Sequence, residues 1–138
     1  NGIESMLVIK TADYGTAAFL AELKRRKIDL IVLAGFLLKI PVTLIKAYPR
    51  KIINIHPAIL PGYGGKGMYG KYVHEAVVNN KDKQSGITIH FVDEVYDHGE
   101  IIFQATCDVD EHDTADSLAK KIHQLEHNYY PQVIESIL

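Results

Sequence analysis

Two short apolar runs, separated by a proline-started helix, limit what this chain can become. Asp29-Leu30-Ile31-Val32-Leu33-Ala34-Gly35 has no polar interior position, the pattern of a parallel strand covered on both faces. Lys51-Ile52-Ile53-Asn54-Ile55-His56 reads as the next strand, and Pro57 ends it because proline cannot donate to a sheet ladder. Between them Pro41 starts a short helix to about Ala47, proline being favoured in the first helical position. Residues 14–27 precede this unit with Ala17, Ala18, Leu20, Ala21 and Leu23 at helical spacing. Lys24, Arg25, Arg26 and Lys27 close that helix where the dipole favours positive charge. Ser5-Met6-Leu7-Val8-Ile9 reads as a strand before it. This β-α-β-α-β order predicts an α/β fold: an open, doubly wound, mostly parallel sheet with helices on both faces.

The second half continues the alternation. Gly62, Gly64, Gly65, Gly67 and Gly70 make residues 61–70 a loop, and residues 71–80 a short helix follows. Gly86-Ile87-Thr88-Ile89-His90-Phe91-Val92 alternates like a strand exposed on one face, and residues 100–106 form another. Asp113 is the expected N-cap of a last helix, with Asp116 at its third position, and Pro131 is expected to kink or restart it. With 47% hydrophobic residues, positions 1–138 make one domain with a core of its own. A formal net charge of −2 carries no basic footprint, which argues against nucleic acid as a partner. The longest apolar stretch, residues 30–38, is too short to span a bilayer, and no signal peptide is evident. One cysteine, Cys107, excludes an internal disulfide, fits a reducing cytoplasm, and reads as a buried structural thiol. The chain starts without methionine and enters a strand almost at once, so it reads as the later part of something longer.

The polar residues at the strand ends carry the chemistry. Asn54 and His56 are two apart on one strand and project from the same side, where the strand ends and a loop opens. Ligands of open α/β sheets bind beyond such strand ends. An amide donor beside an imidazole can stabilise an oxyanion and move a proton. Asp97, in Val95-Tyr96-Asp97-His98-Gly99, can supply a carboxylate that raises the imidazole pKa. The plainer readings are a hydrogen-bonded pair capping a loop and an aspartate making a turn. His123 and His127 share a helix face with Glu126 nearby, but no third ligand stands at metal-site spacing, so exposed helix histidines are expected and no metal. His74 and His112 read as surface residues. Tyr69, Tyr72, Tyr129 and Tyr130 read as packing or rim residues. Gly62-Tyr63-Gly64-Gly65-Lys66-Gly67 lacks Walker spacing, and no serine sits in a nucleophile elbow.

Four blocks stand in order: Leu33-Ala34-Gly35-Phe36, then Ile53 through Pro61 with its Asn-Ile-His-Pro core, then residues 86–92, then Asp97-His98-Gly99-Glu100-Ile101-Ile102. Together with Glu126-His127-Asn128-Tyr129-Tyr130-Pro131 they closely resemble the folate-dependent formyltransferases, specifically those acting on glycinamide ribonucleotide in purine synthesis. The resemblance covers nearly the whole chain and implies a Rossmann-like formyltransferase fold that lacks its N-terminal part. It implies formyl transfer from 10-formyltetrahydrofolate, a cosubstrate, to the ribonucleotide amine, with no metal. It further implies Asn54, His56 and Asp97 as the catalytic set. Leu37, Leu38, Lys39 and Ile40 match one wall of the folate pocket, Val92 and Asp93 the other, and Glu126 the residue that holds the ribose. The partners implied are small molecules, without nucleic acid or membrane, in a cytoplasmic monomer or homodimer. The family's opening strand, Gly/Ser/Asn-rich phosphate loop and helix have no counterpart here. Formyltetrahydrofolate hydrolases, methionyl-tRNA and sugar-amine formyltransferases share the Asn-x-His and later Asp. An inactive folate-binding fragment is the non-enzymatic alternative.

Overall fold

A computed structural model describes residues 5–6 and 11–138. The expected strand around residues 5–9 lies largely outside the described residues. A 3-10 turn, Thr11–Gly15, leads into α1 (Ala17–Arg25), and β1 (Ile31–Leu33), α2 (Val42–Ala47) and β2 (Ile52–His56) follow. Then come α3 (Lys71–Asn79), β3 (Gln84–Phe91), β4 (Ile101–Asp108) and the long α4 (Ala115–Ile137). The helix-started crossover reads as expected, with Pro41 one position earlier, as the N-cap of α2.

The strands lie in the order β1-β2-β3-β4. β1 and β2 pair in parallel, Ile31 beside Ile52 and Leu33 beside Asn54. β3 runs antiparallel to β2, and β4 antiparallel to β3. The α/β architecture with a core on each face of the sheet is therefore present, and among the described residues the sheet is mixed rather than mostly parallel. The reversal follows from the connections: β2 returns through α3 to an antiparallel neighbour, and a short loop folds β4 back on β3.

Two apolar clusters show how each strand divides its side chains. Ile53 and Ile55 of β2 and Ile87 and Ile89 of β3 pack with Val77, Leu118, Ile122 and Val133 of α3 and α4. Ile52 points the other way, into Ile40, Leu44 and Tyr48. Each fully buried aliphatic side chain stabilises the fold by about 1.5–3 kcal/mol. Because side chains alternate along a strand, Asn54 and His56 must share the face of Ile52, with Thr88 and His90 beside them from β3. Their polarity is thus kept out of the α3–α4 core.

Several local expectations are revised. β1 is not fully covered on both faces, since Val32 is exposed. β3 is buried along both faces rather than one, since it is a central strand under α4. Thr114, not Asp113, caps α4, sharing a reciprocal capping box with Ser117. Asp113 instead accepts from the Ser117 hydroxyl at 2.6 Å and from Lys121 Nζ at 2.6 Å. Pro131 sits inside α4, which runs through to Ile137. One residue on, the Gln132 side chain donates to the Asn128 carbonyl at 2.7 Å. Tyr130 is buried and its hydroxyl donates to the Leu33 carbonyl at 2.8 Å, tying α4 to the end of β1. Tyr69 and Tyr72 meet edge to face on the surface.

Candidate active site

β2 carries Asn54 and His56 to its C-terminal end, where Pro57 turns the chain away. The turn is held by Thr88, whose hydroxyl donates to the Ala58 carbonyl at 2.7 Å and accepts from the Leu60 N–H at 3.0 Å. Asp97 enters from the loop joining β3 to β4, in a left-handed conformation with φ 53. That conformation is tolerated best by Asp, Asn and Gly, and it aims the carboxylate back at the sheet. The structure brings Asn54, His56 and Asp97 together, with His90 between Asn54 and Asp97.

His56 is 3% exposed, and its Nδ1 lies 3.5 Å from Asp97 Oδ1. Its Nε2 meets the Tyr63 carbonyl at 2.7 Å, a bond in which the ring must donate. Burial pushes the His56 pKa down. Asp97 and the Tyr63 carbonyl pull it back up and His90 pushes it lower, leaving it below the usual 6.5. The expectation that Asp97 raises this pKa thus holds for its own contribution, while burial outweighs it. Asp97 is also pushed up by burial. Hydrogen bonding with His90 and the Gly65 N–H, together with the charges of His56 and His90, takes it below the ordinary carboxylate value. Gly65 N–H reaches Asp97 Oδ2 at 2.9 Å. The pair is therefore built around an ionised carboxylate.

His90 is the member that sequence reasoning missed. It stands opposite Asn54 in the β2–β3 register, is 2% exposed, and places Nε2 3.6 Å from Asp97 Oδ1. Its Nδ1 donates to the Phe91 carbonyl at 2.8 Å, which leaves Nε2 as the nitrogen facing Asn54 and Asp97. Asn54 Nδ2 meets that nitrogen at 3.4 Å, which orients the amide. The signal available in the sequence was the Thr88-x-His90 alternation, which puts both polar residues on one strand face.

The other candidates are more dispersed. Leu37 and Leu38 are exposed, at 54% and 46%, and Lys39 is exposed with them, whereas Ile40 is buried against Leu44, Tyr48 and Ile52. Val92 packs on that same cluster, and its N–H bonds the Ile52 carbonyl at 2.9 Å. Asp93 accepts from the Val95 N–H and from His98 Nδ1, both at 2.8 Å, and so shapes the loop that carries Asp97. Glu126 is half-buried on α4, and burial raises its pKa against the opposing pull of His123 and His127. His123 and His127 are exposed, as is His112. His74 is not the surface residue expected: it is 3% exposed on α3, with Nδ1 unpartnered. α3 turns that face toward the sheet because Val73 and Val77, on either side of it, are core residues. Cys107 is half-buried and burial raises its pKa, in keeping with an unreactive thiol.

Residues 8–134 match the formyl transferase family. The chain belongs to that family. Among its relatives, the phosphoribosylglycinamide formyltransferase of Arabidopsis thaliana, named as chloroplastic, is 47% identical over 83% of this chain and 39% of its own length. That of Bacillus subtilis is 43% identical over 88% of this chain and 60% of its own length. The solved glycinamide ribonucleotide transformylase 1 of Geobacillus kaustophilus superposes with a TM-score of 0.81 at 36% identity, over 96% of this chain and 70% of that one. The phosphoribosylglycinamide formyltransferase of Streptococcus pneumoniae gives 0.80 at 38% identity, over 91% and 67%. The chain thus spans between about two-fifths and three-fifths of the length of these curated relatives. Among its described residues no helix is long and apolar enough to cross a membrane, and no group of three or more His, Cys, Asp or Glu is placed to hold a metal ion.

Proposed function

We propose that this protein transfers the formyl group of 10-formyltetrahydrofolate to the amine of glycinamide ribonucleotide in purine synthesis. The observation that carries the reading is the convergence of Asn54, His56 and Asp97 at one strand end, in a chain of the formyl transferase family. In this reaction the amine nitrogen attacks the formyl carbon and a tetrahedral oxyanion forms. The bond from that carbon to the folate nitrogen then breaks, and a proton passes from the attacking nitrogen to the departing one. Asn54 donates to the oxyanion, and protonated His56 supplies the positive charge. Each such donor is worth about 10²–10³ in rate. Asp97 favours the charged His56 ring, offsetting part of the cost of its burial, and accepts the proton in transit.

Leu37, Leu38 and Lys39 supply exposed side chains for one folate wall, with Ile40 anchoring that segment in the core. Val92 and Asp93 form the other wall, and Glu126 holds the ribose. On this reading the partners are small molecules, with neither nucleic acid nor membrane and no metal, and the protein is a cytoplasmic monomer or homodimer.

The test is the absorbance change on deformylation of a 10-formylfolate by the purified chain, with and without glycinamide ribonucleotide. Turnover that requires the ribonucleotide is expected. Turnover without any amine would turn the assignment to a hydrolase, and binding of folate with no turnover to an inactive folate-binding fragment.

A further inference from the structure

The glycine-rich loop after β2 does more than connect. Its Tyr63 adopts a left-handed backbone, φ 55, which a bulky residue keeps only when other contacts hold it. Those contacts are visible. The phenol donates to Asp82 Oδ2 and accepts from Asn80 Nδ2 at 2.7 Å, both at the end of α3. Its ring packs on the α3–α4 core. Pinned in this way, the loop sets two backbone groups against the site: the Tyr63 carbonyl on His56 Nε2 and the Gly65 N–H on Asp97 Oδ2.

We propose that Tyr63 is a positioning residue for His56. Its phenol, anchored by Asp82 and Asn80, holds the backbone carbonyl against Nε2, so that the proton that charges the ring is carried on Nδ1, facing Asp97. A carbonyl only accepts, so the ring must keep a proton on Nε2 in both of its states. The second proton can then reside only on Nδ1, 3.5 Å from Asp97 Oδ1. Released from the carbonyl, the neutral ring could take the other tautomer, with Nδ1–H already turned to Asp97 and Nε2 bare.

The groups acting on His56 come from every neighbouring element. Asp97 lies on the β3–β4 loop, His90 on β3, the Tyr63 carbonyl on the glycine-rich loop and His74 on α3. Asp97 and the carbonyl favour the charged ring, while His90, with burial, opposes it. The Tyr63 phenol itself stays protonated, since burial and its bond to Asp82 both push its pKa up. It therefore anchors the loop across the whole range in which His56 titrates.

This inference rests on the formyl-transfer reading only for its kinetic consequence; the proton placement stands on the geometry. The experiment follows the His56 ring nitrogens by NMR through a pH titration of the full chain, alongside the pH profile of kcat. Wild-type protein is expected to hold the Nε2–H tautomer. In Tyr63→Phe the tautomers should mix and the His56 midpoint should fall by roughly one to two pH units, the share of one hydrogen bond to a charged ring. The alkaline limb of kcat should move down by the same amount while KM changes little. Asp82→Ala, which leaves the Tyr63 ring in the core, should reproduce the shift, and the double variant should add nothing to it. An unchanged tautomer and midpoint in both folded variants overturns the proposal. If the NMR changes occur while wild-type protein shows no ribonucleotide-dependent transfer at any pH, the positioning role stands and the formyl-transfer reading falls.

Discussion

Replacing Asp97 by Asn removes one charge at nearly constant shape, since the amide oxygen can still accept from the Gly65 N–H. His56 and Asp97 are 4% and 10% exposed in their side chains and 3.5 Å apart. At an effective dielectric constant of about 20, Coulomb's law gives about 5 kcal/mol for such a pair. That is an upper value, because the carboxylate is shared with His90 and with the Gly65 N–H. A carboxylate at this range typically shifts a neighbouring group by about 1–3 pH units. Burial already holds the His56 pKa below 6.5, and without Asp97 only the Tyr63 carbonyl opposes it. The imidazolium fraction near pH 7 should therefore fall by about 10- to 1,000-fold, and kcat with it. The assay pairs an NMR titration of His56 with the kcat profile, which should recover partly as the pH is lowered. A His56 midpoint that stays in place, or rises, refutes the electrostatic argument.

Two further outcomes are expected. His74 is buried with its Nδ1 unpartnered, and burial lowers its pKa. Its unfolded form therefore takes up a proton first, so wild-type stability should decline as the pH falls from about 6.5 towards the lowered folded value. His74→Leu should cost no more than about 1 kcal/mol at pH 7.5 and should flatten urea midpoints between pH 7 and 5; midpoints parallel to wild type would sink the idea. Gly99→Ala would set a Cβ 1.7 Å from the Phe91 carbonyl oxygen, the same atom that accepts from His90 Nδ1. Backbone must move, at about 1–3 kcal/mol, and formyl transfer should drop with it. Wild-type stability in that variant would show that the Asp97 loop is not seated as described.

Local order in this protein is written in short-range signals. Apolar runs, proline positions and helical spacing mark where α1, β1, α2 and β2 lie, because those patterns depend on neighbours only a few residues away. The period of two likewise makes Asn54 and His56 share a face before any contact is known. The same signals misjudged Asp113 as a cap, because Thr114 and Ser117 compete for the same N–H groups within one turn, and the better reciprocal geometry prevails.

What lay beyond sequence, past the parallel pairing of β1 with β2, was how distant segments meet. Strand direction after β2, the burial of both faces of β3 and the exposure of Val32 depend on which elements become neighbours, and no local pattern encodes that choice. Asp97 could be nominated from sequence, but its reach to His56 depends on the β3–β4 loop folding back across the sheet. His90 became part of the site through the β2–β3 register, which sets it opposite Asn54. Tyr63 gained its place through Asp82 and Asn80, at the far end of α3. Even the His56 pKa is a tertiary quantity: sequence supplies the imidazole, and its titration is set by burial and by charges that only folding brings near.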